Sequence, residues 1–222
     1  MSTTLLERPR STARPPRIER SHETMLDRAM PTWDATRVER CIIDASAPVI
    51  YDVASRTDFL DAIRRHPAVR VLFALRGGIE RTVSTLRFRR HVSPPSPPHL
   101  RLIDLPRHGE WVLLGEDPPN EIAFGVIGRF WSGETQWEEL DARDFASFHE
   151  PGLARIGCHL LLETLNDGSI VLTYEARTLA TDPASRRAFL RYWRLVSPLV
   201  GVVMRSTLRV IERNVRRRIN RD

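Results

Sequence analysis

Hydrophobic residues along this chain recur with two periodicities. They alternate with polar residues through the middle, as in strands, and recur every three or four residues near the end, as in a helix. The segments "EWVLLGE" and "EIAFGVIGRFW" flank the tetrapeptide at 117–120 (DPPN), which predicts two antiparallel strands joined by a short turn. A second pair, "GLARIGCHLLLET" and "SIVLTYEARTLA", flanks residues 166–168 (NDG), where an Asp-Gly step favours a tight hairpin turn. The middle of the chain is therefore expected to form an antiparallel sheet.

A single long helix is predicted after the last strand. Thr181 or Asp182 can cap it, with Pro183 at its first position. Apolar residues then recur at steps of three and four, at Phe189, Trp193, Val196, Val200, Val203, Thr207, Ile211 and Val215. A helix of about 35 residues would reach roughly 50 Å, so only a broad sheet could cover it. Pro198 should kink it near the middle.

Ahead of the sheet, the pattern predicts a strand followed by two short helices. "RVERCIIDAS" ends in a β-rich apolar run, and Ser46 and Pro48 then start the first helix. "TDFLDAIRRHP" predicts the second, with Thr57 as its cap. Residues 1–30 mix Arg, Pro, Ser and Thr with little apolar periodicity. We therefore expect a disordered basic arm whose deletion leaves stability nearly unchanged, followed by one folded domain over 31–222.

The positive charge of the chain lies at its two ends. The formal net charge is +6, and residues 1–22 hold five Arg against two Glu. Residues 205–222 hold seven Arg against two acidic residues, which leaves residues 23–204 at −2. A nucleic-acid-binding face on the folded body is therefore not expected. The C-terminal run "RNVRRRINRD" could make weak contact with a membrane surface, although a solvated helix end accounts for it equally well.

The cysteines and the apolar windows bear on the compartment. Cys41 and Cys158 fall on separate predicted strands without CxxC spacing, which favours free thiols and a cytoplasmic protein. The longest apolar window, residues 195–204, is interrupted by Ser197 and Pro198. The N-terminus has no apolar run of signal-peptide length. Neither a membrane-spanning segment nor a cofactor is expected.

Charged residues on the long strands are the first candidates for a site. Glu121 and Arg129 lie eight positions apart and Glu175 and Arg177 two apart, so each pair shares a face of its strand. Facing a cavity, such a pair could anchor a carboxylate or carbonyl of a ligand. Facing solvent, it would be a cross-strand ion-pair ladder of little energetic weight. The apolar residues of the alternate register in "EIAFGVIGRFW" favour the solvent-facing interpretation.

Aromatic and histidine residues are the remaining candidates. Trp131 and Tyr192 could line a ligand pocket, but core packing is the commoner place for such residues. His149 begins a fragment of the HExxH motif, yet Leu153 stands where the second His belongs, so no metal is expected. His159 on a predicted strand has no nucleophile or third residue that would identify a triad.

The order of these elements resembles the helix-grip fold of the START-like or SRPBCC superfamily, in particular a bacterial branch among its polyketide cyclase/dehydrase-like proteins. The resemblance rests on "ERCIIDASAPVIYDVAS", "EIAFGVIGRFW", "FASFHEPGLARIG" and "LTYEARTLATDPASRRAFLRYWRLVSP", and it covers about residues 33–218. It implies an α+β domain in which a curved antiparallel sheet and two short helices hold a long C-terminal helix packed across the sheet.

Members of this superfamily bind a small apolar molecule between sheet and long helix, so the resemblance implies a lipid-, polyketide- or hormone-like ligand. The residues expected to contact it are Arg129, Trp131, His149, Glu175, Arg177 and Tyr192. The first alternative is a polyketide cyclase/dehydrase-type enzyme, in which an Arg of either charged pair polarises a carbonyl while Glu175 or His159 moves a proton. The second is a ligand-free structural or partner-binding domain whose sheet and helix touch directly.

Overall fold

The structure is a computed structural model that describes residues 23–59, 99–132 and 134–221. Its α-helices are α1 (Met25–Ala29), α2 (Ala47–Arg56) and α3 (Pro183–Ile219). Its strands are β1 (Ala35–Ile43), β2 (His108–Gly109), β3 (Trp111–Asp117), β4 (Glu121–Ser132), β5 (Glu134–Glu138), β6 (Leu140–Asp141), β7 (Ala154–Thr164) and β8 (Ile170–Ala180). The short helix predicted to start at Thr57 lies almost entirely outside the described residues.

The described strands form one six-stranded antiparallel sheet and a small two-stranded ladder. The sheet order is β1-β8-β7-β4-β3, with β5 paired to the second half of β4, and β2 pairs with β6. Both predicted hairpins are confirmed, β3 with β4 and β7 with β8. Gly168 in the second turn has φ 83°, a conformation that glycine adopts without strain. Two short helices, this sheet and α3 make an α+β helix-grip arrangement, as the sequence predicts.

Alternate residues of each strand divide between two faces, which we call the helix-side face and the outer face. On the helix-side face, Phe124, Leu160 and Leu172 pack in one core with Ile50 and Ala54 of α2 and Leu208, Ile211 and Val215 of α3. On the outer face, Ile127 packs in a second core with Leu26, Met30, Leu140, Phe145 and Leu153. The apolar register of β4 thus meets the helices, as its pattern indicates.

The folded body begins earlier than the predicted boundary at residue 31, because α1 already packs on the outer face. Thr24 caps this helix, and its side chain and that of Asp27 exchange hydrogen bonds with each other's backbone amides. Leu26 and Met30 are fully buried. Gly157 makes room for them, since a Cβ there would lie 2.5 Å from the Met30 sulfur. The expectation of a disordered arm therefore does not hold for residues 24–30.

The long helix α3 has 37 residues, and Asp182 caps it by accepting hydrogen bonds from the amides of Ala184 and Ser185. Its buried positions include five of the predicted stripe, Phe189, Val196, Thr207, Ile211 and Val215, and also Gly201, Met204 and Leu208. Trp193, Val200 and Val203 are half-buried. Pro198 lies inside the helix, which runs on through it.

Helix α3 touches the sheet directly at the edge strand β1. Gly201 lets the Arg37 guanidinium lie against the helix backbone, because a Cβ at this position would overlap it. Glu39 Oε1 accepts hydrogen bonds from Arg37 Nε at 2.8 Å and from Arg205 at 2.7 Å. These contacts join strand and helix at one edge of the sheet.

Candidate functional site

Four ionisable side chains meet on the outer face, beneath α1. They come from three neighbouring strands, Glu121 from β4, His159 from β7, and Glu175 and Arg177 from β8. The register sets His159 directly opposite Glu175. All four residues are buried, and the exposed fraction of each whole residue is 5% or less. Glu121, Glu175 and Arg177 do lie on the outer face, as a ladder of ion pairs would. The prediction that they face solvent is wrong, because α1 covers them.

His159 lies between two carboxylates. Its Nδ1 is 2.6 Å from Glu121 Oε1, and its Nε2 is 3.6 Å from Glu175 Oε2. Burial by itself would lower the pKa of His159, but its hydrogen bond to Glu121 and the negative charges of Glu121 and Glu175 outweigh burial and raise the pKa above its ordinary value. The two carboxylates therefore favour the protonated, positively charged form of His159.

Arg177 joins this cluster to both ends of α1. Its Nε donates to Glu175 Oε1 at 2.7 Å, and one terminal nitrogen donates to Asp27 Oδ1 at 2.6 Å. The other terminal nitrogen donates to the backbone oxygen of Met30 at 3.0 Å. Trp33 covers the guanidinium from outside, with 4.1 Å between its ring centroid and Cζ. Each nitrogen of the fork thus has an acceptor, which is how a buried guanidinium is tolerated.

Glu121 binds the first backbone amides of α1. Its carboxylate accepts hydrogen bonds from the amide of Met25 at 2.9 Å and from that of Leu26 at 3.4 Å. Such amides have no partner inside a helix, so a carboxylate at this end satisfies them. Burial would raise the pKa of Glu121, but the bonds from His159 and the Met25 amide outweigh it and lower the pKa. The cluster therefore holds α1 on the sheet.

The protonation of His159 gives this cluster a defined pH dependence. A histidine whose pKa is raised by folding stabilises the folded state fully below its ordinary pKa of 6.5 and loses that contribution as the pH rises through the raised value. The free energy of unfolding, measured by urea titration, should therefore decline from pH 6.5 upward. His159→Gln should abolish this decline, since Gln does not titrate.

The Glu121 carboxylate of the same cluster makes the free energy of unfolding fall at acid pH, which we call the acid limb, whereas His159 gives the alkaline limb. The pKa of Glu121 is lowered from 4.5, so its contribution is present above that pH and is lost as the pH falls through the lowered value. In His159→Gln the alkaline limb should disappear and the acid limb should weaken, because the variant loses the bond and charge of His159 that help to lower the Glu121 pKa. An alkaline decline of equal slope in the parent and the variant would contradict the assignment to His159.

The helix-side face carries a continuous row of aromatic rings, which we call the aromatic row. Its members are Phe59, Trp111, Phe124, Phe130, Trp131, Trp137, Tyr174, Phe189, Tyr192 and Trp193, and neighbouring ring centroids lie 5.1 to 6.5 Å apart. The row runs from the central strands to the first turns of α3. Trp131 and Tyr192 belong to it and are half-buried, so the two predicted aromatic site residues lie in one cluster.

The central strands are not sealed on the helix-side face. Ala176 on β8 and Ile156 on β7 belong to this face, and both pack against its core. Both are nevertheless only half-buried, although their strands are interior members of the sheet order. Helix α3 contacts the edge strand β1 closely but leaves accessible surface beside these two side chains. An apolar surface bordered by the aromatic row remains there.

The predicted site residues do not form one site. Glu175 and Arg177 lie beneath α1, on the opposite side of the sheet from Trp131 and Tyr192. Arg129 is exposed and donates to Gln136 at 3.1 Å. His149 is also exposed, and its Nδ1 lies 2.8 Å from the backbone oxygen of Ser147. Sequence reasoning had not connected Glu121 and His159 with Glu175.

Two pockets occur elsewhere on the described surface. One, of about 280 Å³, lies on the outer face between α1 and the loop that carries Phe145. The other, of about 470 Å³, lies between α2 and the end of α3. Neither adjoins Ala176 or Tyr192. The cavity expected between the sheet and the long helix stays a prediction.

Within residues 23–59, 99–132 and 134–221, no group of His, Cys, Asp or Glu side chains is arranged to hold a metal ion. No helix in the same ranges combines the length and apolarity needed to cross a membrane. Both described cysteines, Cys41 and Cys158, are free thiols.

Comparison with known proteins adds three distant structures. No family model matches the chain, and no curated protein matches it in sequence. A protein from Thermus thermophilus is 11% identical over 82% of this chain and 97% of its own, with a TM-score of 0.32. The di-domain aromatase/cyclase StfQ from the steffimycin biosynthetic pathway is 11% identical over 83% of this chain and 52% of its own, with a TM-score of 0.32. The Streptomyces aromatase/cyclase ZhuI is 11% identical over 83% of this chain and 95% of its own, with a TM-score of 0.28.

Proposed function

We propose that the chain binds a small apolar or aromatic molecule, such as a lipid- or polyketide-like compound, between its sheet and its long helix. The observation that carries the proposal is the half-buried state of Ala176 and Ile156 on interior strands of the helix-side face. Interior strands beneath a packed helix are ordinarily sealed. Accessible apolar surface bounded by aromatic rings is instead typical of a binding groove.

The polar groups beside this surface suit an uncharged ligand. Cys158 lies opposite Ala176 in the sheet, and Tyr174 is two residues from Ala176 on the same face of β8. Burial raises the pKa of Cys158 to about 12 and that of Tyr174 well above its ordinary value, so both stay protonated at neutral pH. A thiol and a phenol of this kind offer weak hydrogen bonding without charge. Trp131 and Tyr192 would contact the ligand at the end of the aromatic row.

The residues that the enzymatic alternative needs for acid–base catalysis lie away from the proposed groove. Glu175, His159 and Arg177 are buried beneath α1 on the outer face, and the sheet separates them from the groove. Arg129 is exposed and bonds to Gln136. A general acid or base must come within hydrogen-bond reach of its substrate. The binding proposal therefore does not include a cyclase reaction by these groups.

We also propose a reducing, cytoplasmic compartment, as the free thiols of Cys41 and Cys158 suggest. The two cysteines lie on β1 and β7, with β8 between them in the sheet. The raised pKa of each thiol, about 12 in both cases, arises first from burial and makes the thiolate rare.

Filling the groove tests the binding proposal. Ala176→Leu should lower the affinity for the uncharged dye Nile red by at least about fivefold, because the larger side chain occupies the space of the ligand. The free energy of unfolding should stay the same or rise, since the added methyl groups enter accessible space. If sheet and helix already touched there, the same substitution would cost about 1–3 kcal/mol through overpacking.

The matched control is Ala184→Leu in the exposed first turn of α3. It adds the same apolar group to the surface, away from the groove, and should leave dye affinity unchanged. A destabilised Ala176→Leu with unchanged dye binding would overturn the proposal in favour of a filled core without ligand. Equal dye affinity in all three proteins would show that the dye binds elsewhere.

A further inference from the structure

A concave basic pocket lies where the end of α3 meets α2. It has a volume of about 470 Å³ and is lined by Val53, Asn214, Arg217, Arg218 and Arg221. Asn214, Arg217 and Arg218 come from the last turns of α3, and Arg221 follows in the turn after the helix. The lining thus combines three guanidinium groups and one amide with a single apolar side chain from α2, and it contains no carboxylate.

The three guanidinium groups differ in their partners. Arg218 lies 3.2 Å from Asp52 Oδ2, and Asp52 also accepts a hydrogen bond from Arg56 at 2.7 Å. One carboxylate is therefore shared by two cations. Arg217 and Arg221 have no ion-pair partner among the residues that the structure describes. Both side chains are exposed, so their donors are open to solvent and to an anion that enters the pocket.

We propose that this pocket binds an oxyanion of the phosphate class. The favourable interaction of cations with a helix C-terminus explains why Arg occurs here at all. It does not explain why Arg217 and Arg221, which have no ion-pair partner among the described residues, line one pocket where their like charges repel each other. A phosphate group between them converts that repulsion into attraction, since each Arg fork can donate two parallel hydrogen bonds to it.

The chemistry of the pocket narrows the ligand to a phosphate monoester or diester. Asn214 supplies a neutral donor beside the cations, and Val53 supplies an apolar wall for the organic part of the ligand. A soluble phosphate ester and the headgroup of an anionic phospholipid share this chemistry. The groove beside Ala176 is a separate site, so the oxyanion proposal does not depend on the proposed function.

The test uses the full chain with inorganic phosphate and, separately, with phosphatidylglycerol vesicles, at about 0.15 M salt to suppress diffuse electrostatics. Phosphate should shift the NMR signals of the Arg217 and Arg221 Nε–H groups. The double variant Arg217→Gln/Arg221→Gln should lose at least about tenfold in phosphate affinity. A cooperative thermal unfolding transition of the Arg217→Gln/Arg221→Gln variant without phosphate verifies that this variant is folded.

The matched control is Arg209→Gln/Arg213→Gln, which removes the same charge from exposed positions of α3 outside the pocket. Its phosphate affinity should stay within about twofold of the parent. Vesicle binding that only the pocket variant loses would identify a lipid headgroup, and a phosphate response without vesicle binding would identify a soluble ester. Equal losses in both double variants, or no response to phosphate and vesicles alike, would overturn the proposal.

Discussion

Arg177→Gln is expected to lower the free energy of unfolding by about 3–5 kcal/mol, the usual cost of removing one partner from a buried ion pair. The side chains of Arg177 and Glu175 are only 3% and 6% exposed. Without the guanidinium, the buried Glu175 carboxylate loses its ion-pair partner at 2.7 Å. The backbone oxygen of Met30 also loses its donor. Urea unfolding at constant pH measures the loss.

The matched control is Arg143→Gln, which removes the same cation from an exposed position, where it pairs with the partly exposed Asp141. Its stability should equal that of the parent within error, because solvent screens such a pair. In the double variant Glu175→Gln/Arg177→Gln, the loss should be smaller than the sum of the two single losses, since the buried Glu175 charge is removed together with its partner. A loss below about 1 kcal/mol for Arg177→Gln would show that water reaches the cluster.

The elements of this fold could be predicted because each depends on neighbours in sequence. The turn at Gly168 joins strands whose partners follow directly along the chain, so the hairpin requires only local pattern and a glycine with positive φ. Helix α3 is equally local, since Asp182 and Pro183 fix its start and a regular apolar stripe extends it. The pattern even assigned the apolar register of β4 to the helices.

The charge cluster could not be predicted, because its members meet only through strand register and the docking of α1. Glu121 and His159 are 38 residues apart, and Asp27 and Arg177 are 150 apart. Alternation places Glu175 and Arg177 on one face but does not say what covers that face. Polar residues of a strand usually face solvent, but Glu175 and Arg177 do not, because α1 covers the outer face of the sheet and buries them.

Two features of the sequence did indicate that covering helix. Thr24 and Asp27 stand three residues apart ahead of apolar positions, the spacing of a capping box. Gly157 lies on the outer face, and glycine inside a strand is typical of a position that another segment approaches closely. A Cβ at Gly157 would lie 2.5 Å from the Met30 sulfur. Compositional bias in residues 1–22 had obscured the first of these features.

Deleting residues 1–30 should lower the free energy of unfolding by more than about 3 kcal/mol, the reverse of what composition suggests. The deletion removes Leu26 and Met30, both fully buried, and each contributes about 1.5–3 kcal/mol of apolar burial. It also removes the amides that Glu121 accepts from and the Asp27 carboxylate that pairs with Arg177. Water reaching the uncovered charges offsets part of the electrostatic loss.

Deletion of residues 1–22 is the matched comparison, because it keeps every described contact of α1 and should unfold at the same urea concentration as the parent. The two deletions should also differ in pH dependence. With α1 absent, water screens Glu121 and Glu175, so the pKa of His159 should return toward 6.5 and the alkaline decline in stability should flatten. If the 1–30 deletion instead kept both the stability and the alkaline limb of the parent, α1 would not be what buries the cluster.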